Sequence, residues 1–183
     1  MKKFLIGIFA VALAFPAMSQ ITVGGSVNVL APEGATYFSI TPEVGYKLSD
    51  NFTLGLDLMF ASLKYNDIDM KESIFGAGIF GRYSIPIADK VSFALKGAFD
   101  FASYSESKDK MFEIGVQPEL WFNLTKTTSL WLSVGYIGYA VYKPDGGDSS
   151  GAFGLSWNGD NTASLLGMEG ASFAPTFGVA FAF

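Results

Sequence analysis

From residue 21 to the end of the chain, apolar side chains return at every second position. That is the period of a strand with two unlike faces, not the three-to-four spacing of a helix. Eight runs carry the pattern, over residues 21–29, 38–48, 52–60, 75–85, 91–101, 112–124, 130–136 and 173–183. The third places Phe52, Leu54, Leu56, Leu58 and Phe60 on one face, the seventh Leu130, Leu132, Val134 and Tyr136, and the eighth Phe173, Pro175, Phe177, Val179, Phe181 and Phe183. Each strand is about 10 to 13 residues, enough to cross an apolar band near 25 Å when tilted by about 40°. Short turns at 49–51, 86–90 and 125–128 alternate with longer polar connections at 66–72, 105–110 and 143–170.

Alternation alone does not distinguish a soluble barrel from one embedded in lipid, because both need two faces. The less apolar face decides between them. In runs one, seven and eight it reads Thr22, Gly24, Ser26, Asn28, then Ser133, Gly135, then Ala174, Thr176, Gly178, Ala180, Ala182. A water-facing surface carries Lys and Glu in quantity, whereas small residues suit a crowded lumen. Charged residues make up only 16% of the chain and hydrophobic ones 50%, against about 25% charged in an ordinary soluble domain. Apart from the N-terminus, no stretch approaches the roughly 18 apolar residues of a membrane helix. The expectation is therefore an all-β fold, an eight-stranded antiparallel up-and-down transmembrane β-barrel. An open sheet edge is not viable in hydrocarbon, so strand eight must close on strand one.

The N-terminus reads separately. Lys2 and Lys3 precede an apolar stretch from Phe4 to Phe15, and Ala17-Met18-Ser19 sets small residues where signal peptidase cleaves. Residues 1–19 are expected to be a cleaved signal peptide and 20–183 the barrel, with turns and both termini in the periplasm and long loops outside.

Two absences narrow the function. Without cysteine there is no disulfide, thiolate metal site or lipidated N-terminal cysteine. Without histidine the usual general base and imidazole ligand are gone. No enzyme activity and no cofactor are expected. A net charge of -5 without a basic cluster argues against nucleic acid. Gly76 to Gly81 spells GxGxxG, but within a strand and without the helix a dinucleotide site requires.

An internal repeat aligns Pro42-Glu43-Val44-Gly45-Tyr46-Lys47-Leu48 with Pro118-Glu119-Leu120-Trp121-Phe122-Asn123-Leu124, and Pro175-Thr176-Phe177 echoes its start. Proline removes a ladder donor, so bulges are expected at these three positions. The segment Ile40 to Phe52, with ITPEVGYKLSDNF, resembles the hairpin motif of a small outer-membrane β-barrel family common in Bacteroidetes, akin in shape to the OmpX and OmpA barrels and to porin-family outer-membrane proteins. The terminal Phe177, Val179, Phe181 and Phe183 resemble the C-terminal signal read by barrel-assembly machinery. The resemblance implies a bacterial outer-membrane location, with outer-membrane lipid, the assembly machinery and periplasmic chaperones as partners. It transfers no catalytic residues.

Two groups stand out as candidate sites. Glu43, Asp57, Arg82, Lys96 and Glu119 fall on the presumed lumen face at similar distances from the periplasmic turns, and are expected in one layer. Such a layer is either a gate or a salt-bridged plug, and an eight-stranded lumen just wide enough for side chains favours the plug. Phe153, Leu155 and Trp157, in the long loop, either present a partner site or fold back to extend the strands. Two readings of function follow: a non-enzymatic barrel serving envelope structure or presenting its loops, and a narrow pore for small solutes or ions.

Overall fold

The computed structural model describes residues 20–31, 35–65, 70–133, 135–156 and 176–183. It contains ten strands: β1 (Ile21–Leu30), β2 (Ala35–Lys47), β3 (Phe52–Tyr65), β4 (Met70–Ala88), β5 (Val91–Tyr104), β6 (Lys110–Asn123), β7 (Thr128–Ser133), β8 (Tyr136–Lys143), β9 (Ser150–Ser156) and β10 (Thr176–Ala182). Each of β1 to β6 pairs antiparallel with its neighbour in sequence, β6 pairs with β7, β7 with β10, and β10 with β1. The circuit closes as an eight-stranded antiparallel barrel, as expected. The segment 1–19, expected to be a signal peptide, lies outside the described residues.

β8 and β9 complete the last two staves. β8 continues β7 along the far half of β6, from Val116↔Ile137 to Lys110↔Lys143, and β9 pairs with β8 from Tyr136↔Ser156 to Tyr142↔Ser150. Residues 150–156 fall within the long connection at 143–170, for which extension of the last strands was one of the two readings. They form a strand, in which Phe153 and Leu155 repeat the same two-residue period.

The break between β7 and β8 corrects an expectation. On β6, three positions separate Glu119 from Val116, whereas their partners Ser133 and Ile137 are four apart. One extra residue is a β-bulge, and it reverses the facing of everything beyond it. Tyr136, expected outward, therefore points into the lumen, while Ile137 and Tyr139 face out.

The prolines behave differently from one another. Across Pro42 the β2–β3 register resumes unchanged, Ile40↔Phe60 and Glu43↔Asp57, with only rungs missing between them. At Pro42 the missing donor costs a rung but requires no extra residue. Pro118 sits in an unshifted β5–β6 ladder, opposite Leu95, but on the other side of β6 it lies between Val116 and Glu119, opposite the bulge that separates β7 from β8. Pro175 lies outside the described residues. A further register shift lies at Pro86 and Ala88, and β4 runs through the expected turn so that only Asp89 and Lys90 reverse the chain.

The two faces sort as the period demands. Outside are Val27, Phe38, Ile40, Leu54, Leu56, Ile79, Phe99, Ile114 and Phe177, all more than a third exposed. Inside are Asn28, Ser39, Ser133 and Thr176, the five charged residues of the expected layer, and a group of large side chains.

Candidate functional site: the lumen

The lumen is filled in tiers, and the ladder registers decide what meets what. Toward the end bearing the short turns, Glu43 is directly opposite Asp57 on the β2–β3 ladder, and Arg82 is opposite Lys96 on β4–β5. Each like-charged pair would repel if left alone. The repulsion is relieved between ladders. Arg82 Nη2 donates to Glu43 Oε1 and Oε2 at 2.9 and 3.0 Å, and Arg82 Nε donates to Glu119 Oε2 at 2.8 Å. Lys96 Nζ donates to Asp57 Oδ2 at 2.9 Å and reaches Glu43 Oε2 at 3.5 Å. The structure thus brings all five expected residues into one connected network. Glu119 is 0% exposed and the least buried of them, Asp57, only 7%.

Aromatic rings case this network, and these the sequence reading missed. The Arg82 guanidinium lies 4.8 Å from the Phe80 ring centre and 4.5 Å from that of Trp121, and Lys96 Nζ lies 4.5 Å from Phe80. Trp121 Nε1 donates to Glu119 Oε2 at 2.7 Å, and Trp121 stacks on Trp131 at 6.0 Å between centroids. Cations held over ring faces keep favourable electrostatics without water. Phe80 fits because its cross-strand partner is Gly55, where a Cβ would come within 2.3 Å of the ring and 2.5 Å of the Val44 carbonyl oxygen. Trp131 lies over its own partner, Gly178, in the same way. A legible signal existed: Phe80 is out of phase with Phe75 and Ile79, and Tyr37 with Phe38 and Ile40.

Beyond the charges lies a cavity of about 80 Å³, bordered by Asp57, Lys96, Trp131 and Thr176. Further along, Tyr37, Leu63, Ile74, Tyr104 and Met111 pack as an apolar tier inside the barrel. The far mouth opens into a vestibule of about 550 Å³ lined by Tyr65, Glu72, Tyr104, Asp109 and Tyr142 among others. There the loop between β5 and β6 is tied down. Glu72 accepts the backbone N–H groups of Glu106 and Ser107 at 2.8 and 3.2 Å, and Asp109 accepts the Tyr142 hydroxyl and the Asp145 backbone N–H. The Tyr142 hydroxyl is the main cause holding the Asp109 carboxyl below its ordinary range.

Of the second candidate group, Phe153 and Leu155 lie on β9, opposite Tyr139 and Ile137, and are 69% and 66% exposed on the outer face. They continue the apolar outer surface. Trp157 lies outside the described residues. The terminal Phe177, Val179 and Phe181 face outward on β10, paired to β1, and Phe183 follows with its N–H bonded to the Ile21 carbonyl.

A closed strand circuit, apolar outside and filled inside, belongs to the class of small β-barrels whose exterior suits a lipid bilayer. Among solved structures the chain is similar to the crystal structure of Neisserial surface protein A (NspA), at 15% identity over 89% of this chain and 95% of that one, with a TM-score of 0.45. No family model and no curated protein matches the chain.

Proposed function

We propose that this is a non-enzymatic integral barrel of a bacterial outer membrane that serves envelope structure or displays its outer loops, and that the lumen network is a plug. The observation that carries this reading is that Arg82 and Lys96 each bridge two carboxylates inside a ring of aromatic side chains. A gate must part at low cost, whereas removing one partner of a buried pair strands a charge at about 3 to 5 kcal/mol. The cavity beyond the network, about 80 Å³, holds a few water molecules and no solute.

The outward terminal phenylalanines support a role as the recognition segment for barrel assembly, with periplasmic chaperones holding the chain beforehand. A narrow pore is the competing reading, and planar-bilayer recording separates the two. The inserted full chain is expected to show no steady conductance, and a reproducible ohmic channel in the unmutated protein would overturn the plug.

A further inference from the structure

The vestibule at the long-loop mouth has the size of a ligand site. Its volume is about 550 Å³, and small-molecule pockets span roughly 300 to 1,000 Å³. Leu63, Tyr104 and Met111 belong to the apolar tier beneath it and also line it, and Tyr65 and Tyr142 complete an aromatic wall. Tyr104 and Tyr142 meet edge to face, with 6.3 Å between centroids and 85° between planes. The ring whose edge makes that contact keeps both its faces clear of its neighbour, and a ring face is what attracts a cation.

Charge at this mouth is sorted. Glu72 and Asp109 line the vestibule, and no lysine or arginine is among its described lining residues. Strand alternation turns Lys64, Lys71, Lys110 and Lys143 to the outer face, because their chain neighbours Tyr65, Glu72, Met111 and Tyr142 line the inside. Lys108 is exposed and donates through Nζ to the Ser105 carbonyl. Among the described residues neither Glu72 nor Asp109 has an ion pair. From residue 20 onward, the connections outside the described residues add Glu33, Asp67, Asp69, Asp160 and Glu169 but no lysine or arginine. Those connections therefore bring no counter-charge to the vestibule. Deeper in, the lumen acids Glu43, Asp57, Asp100, Glu113 and Glu119 outnumber Arg82 and Lys96, and low-dielectric walls focus that field toward the mouth. A cation is the guest this cup favours.

A metal ion fits it poorly. Glu72 accepts the Glu106 N–H on Oε1 and the Ser107 N–H on Oε2, and Asp109 accepts the Asp145 N–H on Oδ1 and the Tyr142 hydroxyl on Oδ2. All four oxygens are committed to donors that hold the loops, and a hard cation demands direct oxygen ligands. Nor do the described residues hold a group of three or more acids placed to ligate a metal. An alkylammonium ion makes no such demand. It takes ring faces for its charge and apolar surface for its body, with carboxylates acting through their field. We propose that the vestibule binds a small organic ammonium ion from the aqueous side, its charge over the rings of Tyr65, Tyr104 and Tyr142 and its body on Leu63 and Met111. The site is independent of the plug, which closes the lumen below it.

The test titrates the full chain, folded in uncharged maltoside micelles and isotope-labelled in its tyrosine rings, with choline and with dimethylbutanol, the neutral carbon isostere of choline. Choline is expected to shift the nuclear magnetic resonance signals of Tyr104 and Tyr142 saturably and to bind about tenfold more tightly than the alcohol, with a smaller gap at high salt. Tyr104→Leu and Glu72→Gln should each weaken choline binding severalfold, whereas Tyr83→Phe, on the outer face, should leave it unchanged. Glu72→Gln lies at the mouth and leaves the packed tier intact, so it decides the matter even where Tyr104→Leu fails to fold. Equal affinity for choline and the alcohol, no saturable shift at either ring, or unchanged binding in Glu72→Gln would overturn the proposal. Displacement of choline by stoichiometric calcium would give the site to a metal ion and overturn it as well.

Discussion

Arg82 is the residue on which the interior turns. It holds two carboxylates and touches two rings, and so bridges β2, β4 and β6. Arg82→Met leaves Glu43 and Glu119 without their main partner and should cost about 3 to 5 kcal/mol, read as a lower urea midpoint in detergent micelles. Combining it with Glu43→Gln and Glu119→Gln should recover part of the loss, since the penalty comes chiefly from stranded charge. The charged members of this group could be read from the sequence because a lone ionic residue in an alternating apolar strand has only one face to occupy. The aromatic ones were missed because Phe80 and Tyr37 are the right size for lipid, although each is out of phase with the outward apolar residues beside it, and the glycine opposite Phe80 shows that there is room for it inside.

Among the elements, periodicity located most strands, and it failed where the period itself is interrupted. The bulge between Ser133 and Ile137 has Gly135 as the mark on its own strand and Pro118 opposite it on β6, yet the outward assignment of Tyr136 followed the phase of Leu130 and Leu132 into error. Pro42 carried the same mark and caused no shift. The tie between the β5–β6 loop and the β8–β9 loop offers a pH test. The folded state holds Asp109 below its ordinary range through the Tyr142 hydroxyl, so the ionised form is the one the fold favours. The tie is thus complete above the ordinary aspartate range and is lost as pH falls through the lowered value. The protection of the Asp145 amide against exchange, taken relative to its intrinsic rate at each pH, should fall on acidification, since its N–H bonds Asp109 Oδ1 at 2.9 Å. Asp109→Asn should remove that pH dependence. Asp109 is too exposed for either change to move global stability.

For the whole molecule, the combination of an apolar exterior and a closed ladder makes one strong demand. Water cannot solvate the outer face, and detergent cannot easily enter a ladder that β10 closes onto β1. The mature chain should require detergent or lipid to fold, and should run faster on a gel before boiling than after. Identical migration with and without heating would contradict a closed barrel. Closure was foreseeable from energetics alone, whereas the division of the last two staves into β7 with β8 and β9 with β10 was not.

The opposed charge pairs of the interior have a consequence for how the staves find one another. The β2–β3 hairpin brings two acids together and the β4–β5 hairpin two bases, so each is electrostatically incomplete and each is the other's complement. Sliding one hairpin by a single residue would send its charges into hydrocarbon, and sliding it by two would part them from their counterions. Four of the five side chains of the lumen network therefore act as an alignment key for barrel assembly, admitting one meshing of the hairpins and penalising its neighbours.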